Sequence, residues 1–467
     1  TDFTKIVNIY TTFIKTQLIT KTIHYLKCFY RHLLKSITMK RNWIISFVGI
    51  LIIALLGVSH FEVLSLENIN SENAADISWM LTASCLVFFM TPGLSFFYGG
   101  MVSQRNIIST MLQSFIALGL ISILWIVVGF SLSFGDSYFG IIGDPTQYFM
   151  FNNIDQYNET LGLGIPLLLF ALFQLKFAII TPAITTGSFA ERINFSGYLI
   201  FMCLFSLVIY CPLAHWTWHP NGFLHQWGVL DFAGGAVVHI SAGFAALAGA
   251  LALGHRKKRN TEENPANTSY VLLGTGMLWF GWFGFNSGSA LGANEEAIMA
   301  FATTNTASAM SMFTWIVLEG MKGNKVKATH ACIGAVVGLV VITPAAGFVS
   351  IGQSLFMGFI GAVICNHFLA FFRRFDIDDT LDVFACHGMG GIVGLLLTGI
   401  FAKDVGLIYG ETETFINHIY ALIIISVFTF VGSYILYKIT ALIVPIRVTE
   451  EIEEQGLDIS LHGEYIN

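Results

Sequence analysis

From Ile77 onward, apolar runs long enough to cross a bilayer alternate with short polar connections. The pattern predicts eleven spans, at 77–101, 108–134, 163–189, 195–215, 230–254, 269–288, 296–320, 328–348, 353–372, 383–402 and 416–444. Positive charge divides the connections into two kinds. Arg105, Arg192, the run Arg256-Lys257-Lys258-Arg259, the trio Lys322, Lys325 and Lys327, and Arg373-Arg374 all follow odd-numbered spans. Connections after even-numbered spans hold Lys403 and no other Lys or Arg. Because Lys/Arg excess marks the cytoplasmic side, the membrane domain is expected to begin outside and end in the cytoplasm.

The two halves of this pattern resemble each other. Spans one to five end in a helix carrying Asp231 and His239, and spans six to ten in a helix carrying Asp382 and His387. Glu191 follows span three and Glu319 ends span seven. An odd number of spans per repeat turns the second copy upside down. The expected fold is therefore an all-α membrane protein of eleven transmembrane helices, built as two inverted five-helix repeats plus a final long helix.

Composition agrees with this class. Of 467 residues, 55% are hydrophobic and 11% charged, against about 25% charged in soluble domains. Outside the N-terminus no basic block suits nucleic acid. All seven cysteines except Cys28 fall in or at the ends of apolar runs, and none forms a CxxC pair, so they read as buried apolar residues. Residues 1–38 differ from the rest, with six scattered Lys or Arg and no long apolar span. Met39-Lys40-Arg41 followed by 43–58 has the form of a signal peptide over 39–60. Residues 1–38 are then upstream sequence; an uncleaved extra helix is the alternative. The membrane domain covers 77–445, and 446–467 is a polar tail containing Glu450, Glu451, Glu453 and Glu454.

Ionisable groups at membrane depth usually face a bundle interior and are functional suspects. A lone membrane histidine is often a packing residue, but His239 and His387 stand at corresponding places in two repeats. Two imidazoles sharing one hydrogen bond fix each other's tautomer and leave ring nitrogens for a passing solute. Such a pair suits a small polar solute better than a bare alkali ion, which needs a ring of oxygens. Asp231 fits either a gate charge or a cap on the orphan N–H groups of a helix start, and Asp382 likewise. Phe173 and Phe177 lie one helical turn apart, as do Phe285 and Ser289. Aromatic stripes are usually packing, yet a cation on their faces gains about 0.5–2 kcal/mol. Trp218 sits at an outer helix end, where an interface anchor is expected. Lys176, in mid-span, is placed to snorkel, to pair with Glu191, or to point away from Phe173 and Phe177.

At these residues the chain resembles bacterial ammonium transporters of the Amt/MEP/Rh family. The segments 230–239, 281–289, 382–388 and 456–463 carry the resemblance, which runs from about Ile77 to the C-terminus. It implies a homotrimer in the bacterial inner membrane with a pore in each subunit and neither enzyme activity, metal nor cofactor. Phe173, Trp218 and Ser289 would form an outer recruitment site for ammonium, supported by Asp231. Phe177 and Phe285 would be the stacked gate, and His239 and His387 the paired pore histidines. The tail would couple subunits and help receive a PII-type regulator. Two other classes compete: an ammonium sensor of the same fold with little flux, and an intramembrane enzyme or metalloprotein using the two histidines.

Overall fold

The computed structural model describes residues 43–58, 73–155, 158–257 and 265–466. The expectation for residues 1–38, and the start of the 39–60 segment, lie outside these. Trp43–Val58 is an apolar helix in a unit of its own, residues 1–63.

The second unit is a helical assembly. Its main elements are α1 (Ala74–Met101), α2 (Gln104–Phe134), α3 (Leu167–Ser188), α4 (Phe195–Gln226), α5 (Gly235–Leu253), α6 (Thr268–Ser287), α7 (Glu295–Met321), α8 (Ala328–Ile342), α9 (Ile351–Phe372), α10 (Phe384–Phe401) and α11 (Glu413–Ile443). A short tail helix, α12 (Glu450–Gln455), follows. Among the described residues, eight helices are long and apolar enough to cross a membrane. α6, α7 and α8 fall outside that set. α8 has only 15 residues, because Pro344 cannot donate to a continuing helix and the segment beyond Ile342 turns instead. α6 and α7 are rich in Gly, Ser and Thr. Their hydroxyls bond back into the helix, as Thr275 does to Val271 O (2.7 Å) and Thr304 to Ala300 O (2.6 Å), so burial leaves them satisfied.

The connections segregate by parity. Those after α1, α3, α5 and α9 meet one another and the tail. Arg256 donates to both Asp378 oxygens (Nε to Oδ2 3.0 Å, Nη2 to Oδ1 2.9 Å) and to Glu191 Oε2 (2.7 Å). Glu191 Oε1 accepts the Ser103 N–H at 2.8 Å. The buried Arg192 donates to Asp378 O (2.5 Å) and Thr380 Oγ1 (2.6 Å). The tail docks on the same side. Lys257 Nζ pairs with Glu450 at 2.8 Å, Arg447 with Glu453 at 2.8 Å, and Asp458 accepts the Ile108 and Ser109 N–H groups at 3.0 and 2.8 Å, capping α2. Connections after even-numbered helices meet on the other side. A hairpin of β1 (Ser137–Tyr138) and β2 (Ile142–Gly143) after α2 bonds the α4 end through Phe223 N to Gly140 O (3.1 Å). Asn417 donates to Trp227 O (2.7 Å), and Lys403 N to Phe348 O (2.9 Å).

Two seams organise the interior. α1 and α6 pack at backbone contact: a Cβ built on Gly274 would lie 2.3 Å from Phe97 N. α5 and α10 cross as closely. A Cβ on Gly243 would lie 2.3 Å from the Gly388 backbone. Only hydrogen fits there, and the approach sets the depth at which His239, one turn before Gly243, and His387, next to Gly388, face each other.

Two outcomes follow for folding in detergent. Gly243→Ala forces two backbones apart and should cost about 3 kcal/mol or more, read as a large drop in melting temperature; a melting point near wild type would contradict the seam. For Asp378, burial alone would raise the carboxyl, but the Arg256 hydrogen bonds and the Arg192 and Arg256 charges outweigh it and hold the group at about 2. A depressed folded pKa stabilises above the ordinary carboxylate range and is lost as pH falls towards 2. The melting deficit of Asp378→Asn should therefore be full at pH 6 and shrink between pH 4 and 2; a deficit independent of pH would show that the charge is not the stabilising element.

Candidate functional site

Both histidines occupy π-helical turns, Gly235–Ile240 at the start of α5 and Phe384–Gly388 at the start of α10. Such turns rotate side chains off the regular helical face and recur at functional sites. The turns bring His239 Nδ1 and His387 Nδ1 to 3.3 Å, with ring centroids 5.4 Å apart and planes 30° off parallel. Both rings are buried. One shared hydrogen bond requires one Nδ1–H and one bare Nδ1, so the pair exposes one Nε2 acceptor and one Nε2–H donor along its edge. The buried Nε2 of His239 faces no protein partner.

The surroundings are otherwise apolar. The cavity at the histidines is walled by Met90, Leu94 and Phe97 of α1, Ile180 and Ile184 of α3, Leu278, Trp282 and Phe285 of α6, and Val336 of α8. A continuous chain of rings leads away from it. His239 stacks on Trp282 (5.2 Å, 22°) and borders Phe285 (6.0 Å). Phe285 lies against Phe177 at 4.2 Å and 30°. Phe177 meets Phe173 edge-on at 5.0 Å and Trp218 at 5.9 Å. Phe173, Phe177 and Phe285 are buried, while Trp218 and Ser289 are half-buried at the far end of the chain of rings. The Ser289 hydroxyl donates to Phe285 O at 2.9 Å, which leaves its oxygen free to accept.

Asp231 shapes this end without entering it. Its carboxylate accepts the N–H groups of Gly234 (3.1 Å), Ala236 (2.9 Å) and Val237 (3.1 Å), and its carbonyl accepts the Trp218 indole N–H (2.9 Å). Of the two roles open to it, the cap is the one seen, and its carbonyl orients the Trp218 indole. Gly234, at φ +103°, makes the turn that a side chain would strain.

The counterpart of Asp231 is Asp379, not Asp382 as the sequence suggested. Asp379 Oδ2 accepts the Phe384 N–H at 2.7 Å, five residues on, as Asp231 Oδ2 accepts that of Ala236. Thr380 N bonds Ser188 O at 3.0 Å where Phe232 N bonds Pro344 O at 3.1 Å. Asp382 instead occupies the place of Gly234, with φ +56°, and pairs with Arg373 at 2.7 Å. The shared signal was the eight-residue spacing, Asp231 to His239 and Asp379 to His387. Trp282 was also passed over, although it precedes Phe285 by three positions on one helix face. Its indole donates to Thr343 Oγ1 at 2.9 Å, which fixes the ring under His239. Lys176 points away from the ring chain, its Nζ 5.4 Å from the centroid of Phe88, and Glu191 is engaged by Arg256.

Fold and site together define a multi-pass helical membrane protein with a hydrogen-bonded polar pair inside an apolar cavity. A sequence model of the Ammonium Transporter Family matches residues 78–466. An ammonium transporter of Aquifex aeolicus is 44% identical over 90% of this chain and 98% of its own length. One from Bacillus subtilis is 42% identical over 83% and 97%. The crystal structure of Candida albicans Mep2 superposes with a TM-score of 0.76 at 32% identity, covering 81% of this chain and 87% of that one. The chain belongs to the ammonium transporter family, and ammonium transport is its function; the sensing alternative is not favoured by these relatives.

Removing the Asp231 carboxylate leaves three buried N–H groups unmatched. Asp231→Ala should destabilise by about 1–3 kcal/mol, while Asp231→Asn, which keeps an acceptor, should lose less. Thermal unfolding in detergent measures both; equal losses would contradict the cap.

Proposed function

We propose that ammonium is recruited at Phe173, Trp218 and Ser289, gives up its proton at or below the stacked pair Phe177 and Phe285, and passes His239 and His387 as ammonia. The observation that carries this reading is the 3.3 Å imidazole pair inside an otherwise apolar cavity. An ion stripped of water in such a medium meets a barrier of tens of kcal/mol. Ammonium escapes it by losing a proton; potassium has none to lose. At the outer end, the faces of Phe173 and Trp218 attract a cation by about 0.5–2 kcal/mol, and the Ser289 oxygen accepts one of its N–H groups. The neutral molecule then meets an imidazole edge offering one donor and one acceptor, which matches ammonia at both ends. The proton stays outside or crosses along the imidazoles and transient water.

The same reading places eleven spans in the membrane as two inverted five-helix repeats and a last helix. The matched hydrogen bonds around Asp231 and Asp379 support the repeats. The sorting of connections by parity supports the span count. The Lys and Arg on the odd side support a cytoplasmic tail, with the start of the membrane domain outside, and the reading sets the chain in a bacterial inner membrane. There a PII-type regulator would reach the tail, and three copies would assemble through lipid-buried faces, each keeping its own pore.

Reconstituted in liposomes, the protein should give an ammonium-evoked current or pH change and none with potassium. His239→Ala should cut ammonium flux at least ten-fold or admit potassium. No ammonium response in the wild type would remove transport; wild-type rate and selectivity in the variant would remove the histidine pair from the path.

A further inference from the structure

Below His387, on the side of the tail, lies a polar cavity of about 300 Å³. Its walls carry Glu191, Arg256, Arg373 and three aspartates, Asp378, Asp379 and Asp382. All but one of these charges are paired within it: Arg256 with Glu191 and Asp378, and Arg373 with Asp382. Asp379 has no ion pair. It is 8% exposed, one oxygen caps Phe384, and Oδ1 is buried with no hydrogen-bond partner. The nearby Ser188 hydroxyl is given to Ala246 O at 2.7 Å.

Comparison with the outer cap explains the spare oxygen. At Asp231 the N–H three residues on, of Gly234, donates to Oδ1 at 3.1 Å. At Asp379 the corresponding N–H, of Asp382, donates to the Asp379 main-chain carbonyl at 3.2 Å. The outer carboxylate is thereby saturated and the inner one is left an acceptor short of a donor. A buried carboxylate with one oxygen unbonded and no ion-pair partner favours a small cation that brings both charge and an N–H donor.

The geometry points to an inner ammonium site in this cavity, with Asp379 Oδ1 accepting an N–H of the cation. The site rests on the reading that the solute passes the two histidines, and it adds a carboxylate holding point at the inner mouth, where the outer mouth has aromatic faces and a hydroxyl. Burial, with Asp382 beside it, already pushes the Asp379 carboxyl up to about 6, the strain an arriving cation relieves. Ammonium brings four N–H donors, whereas potassium brings charge alone.

The test uses the full-length chain in vesicles sorted by capture of the tail, so that ammonium can be pulsed onto either mouth. Asp379→Asn keeps the Phe384 cap and removes the charge. The half-saturating ammonium concentration at the inner mouth should rise at least five-fold, while that at the outer mouth stays as in the wild type. An unchanged inner value, or equal changes at both mouths, overturns the site. Should Asp379→Asn fail to accumulate, Asp379→Glu retains the charge but displaces the oxygens; an inner value identical to wild type there is equally fatal. Absence of ammonium current in the wild type from either mouth would strike the transport reading instead.

Discussion

The backbone contact of α5 with α10 is the constraint on which the rest depends. At Gly243 no atom larger than hydrogen fits against the Gly388 backbone of the facing helix. This closeness, with the π-helical turns beside it, holds two imidazoles within hydrogen-bond distance in a region that would expel either alone. Neither Nδ1 needs a charged partner, since each is bonded to the other. The apolar wall can therefore close around them without leaving an ionised group in it.

Each of these two helices begins on an aspartate cap and rests on the end of a helix from the other half. Pro344, past α8, receives Phe232; Ser188, ending α3, receives Thr380. The two caps share a frame and differ in one residue of the turn. Glycine at 234 lets the loop fold until its N–H reaches the carboxylate. Aspartate at 382 adopts φ +56° rather than +103° and turns its side chain to Arg373, so its N–H stops at the main-chain carbonyl. One backbone angle thus separates a saturated carboxylate from one with an unbonded oxygen.

Much of this was legible in the sequence. Apolar runs located the helices because burial in lipid demands them, and the parity of Lys and Arg divided the connections as the loop contacts do. His239 and His387 stood out because imidazoles are costly in such runs. Phe173, Phe177 and Phe285 were visible from helical spacing. What escaped depended on turn geometry. Asp382 is nearer the apolar run than Asp379, so hydropathy pointed to it; only the fixed count of eight to the histidine, or the backbone itself, identifies the cap. α8 was drawn to residue 348 because its residues stay apolar to the end, whereas the chain turns at Pro344 to receive α5. The role of Trp282 lies in a contact with Thr343 on another helix, which no local pattern encodes.

The cap that Asp458 places on α2 has a temporal side. The residues it joins are 350 positions apart. At about 5–20 residues per second of synthesis, this end of α2 waits on the order of twenty seconds to a minute for the carboxylate that finishes it. Throughout that interval the nascent protein holds its second helix with bare amides at one tip. A segment translated long after α2 is therefore the clasp that finishes that helix end.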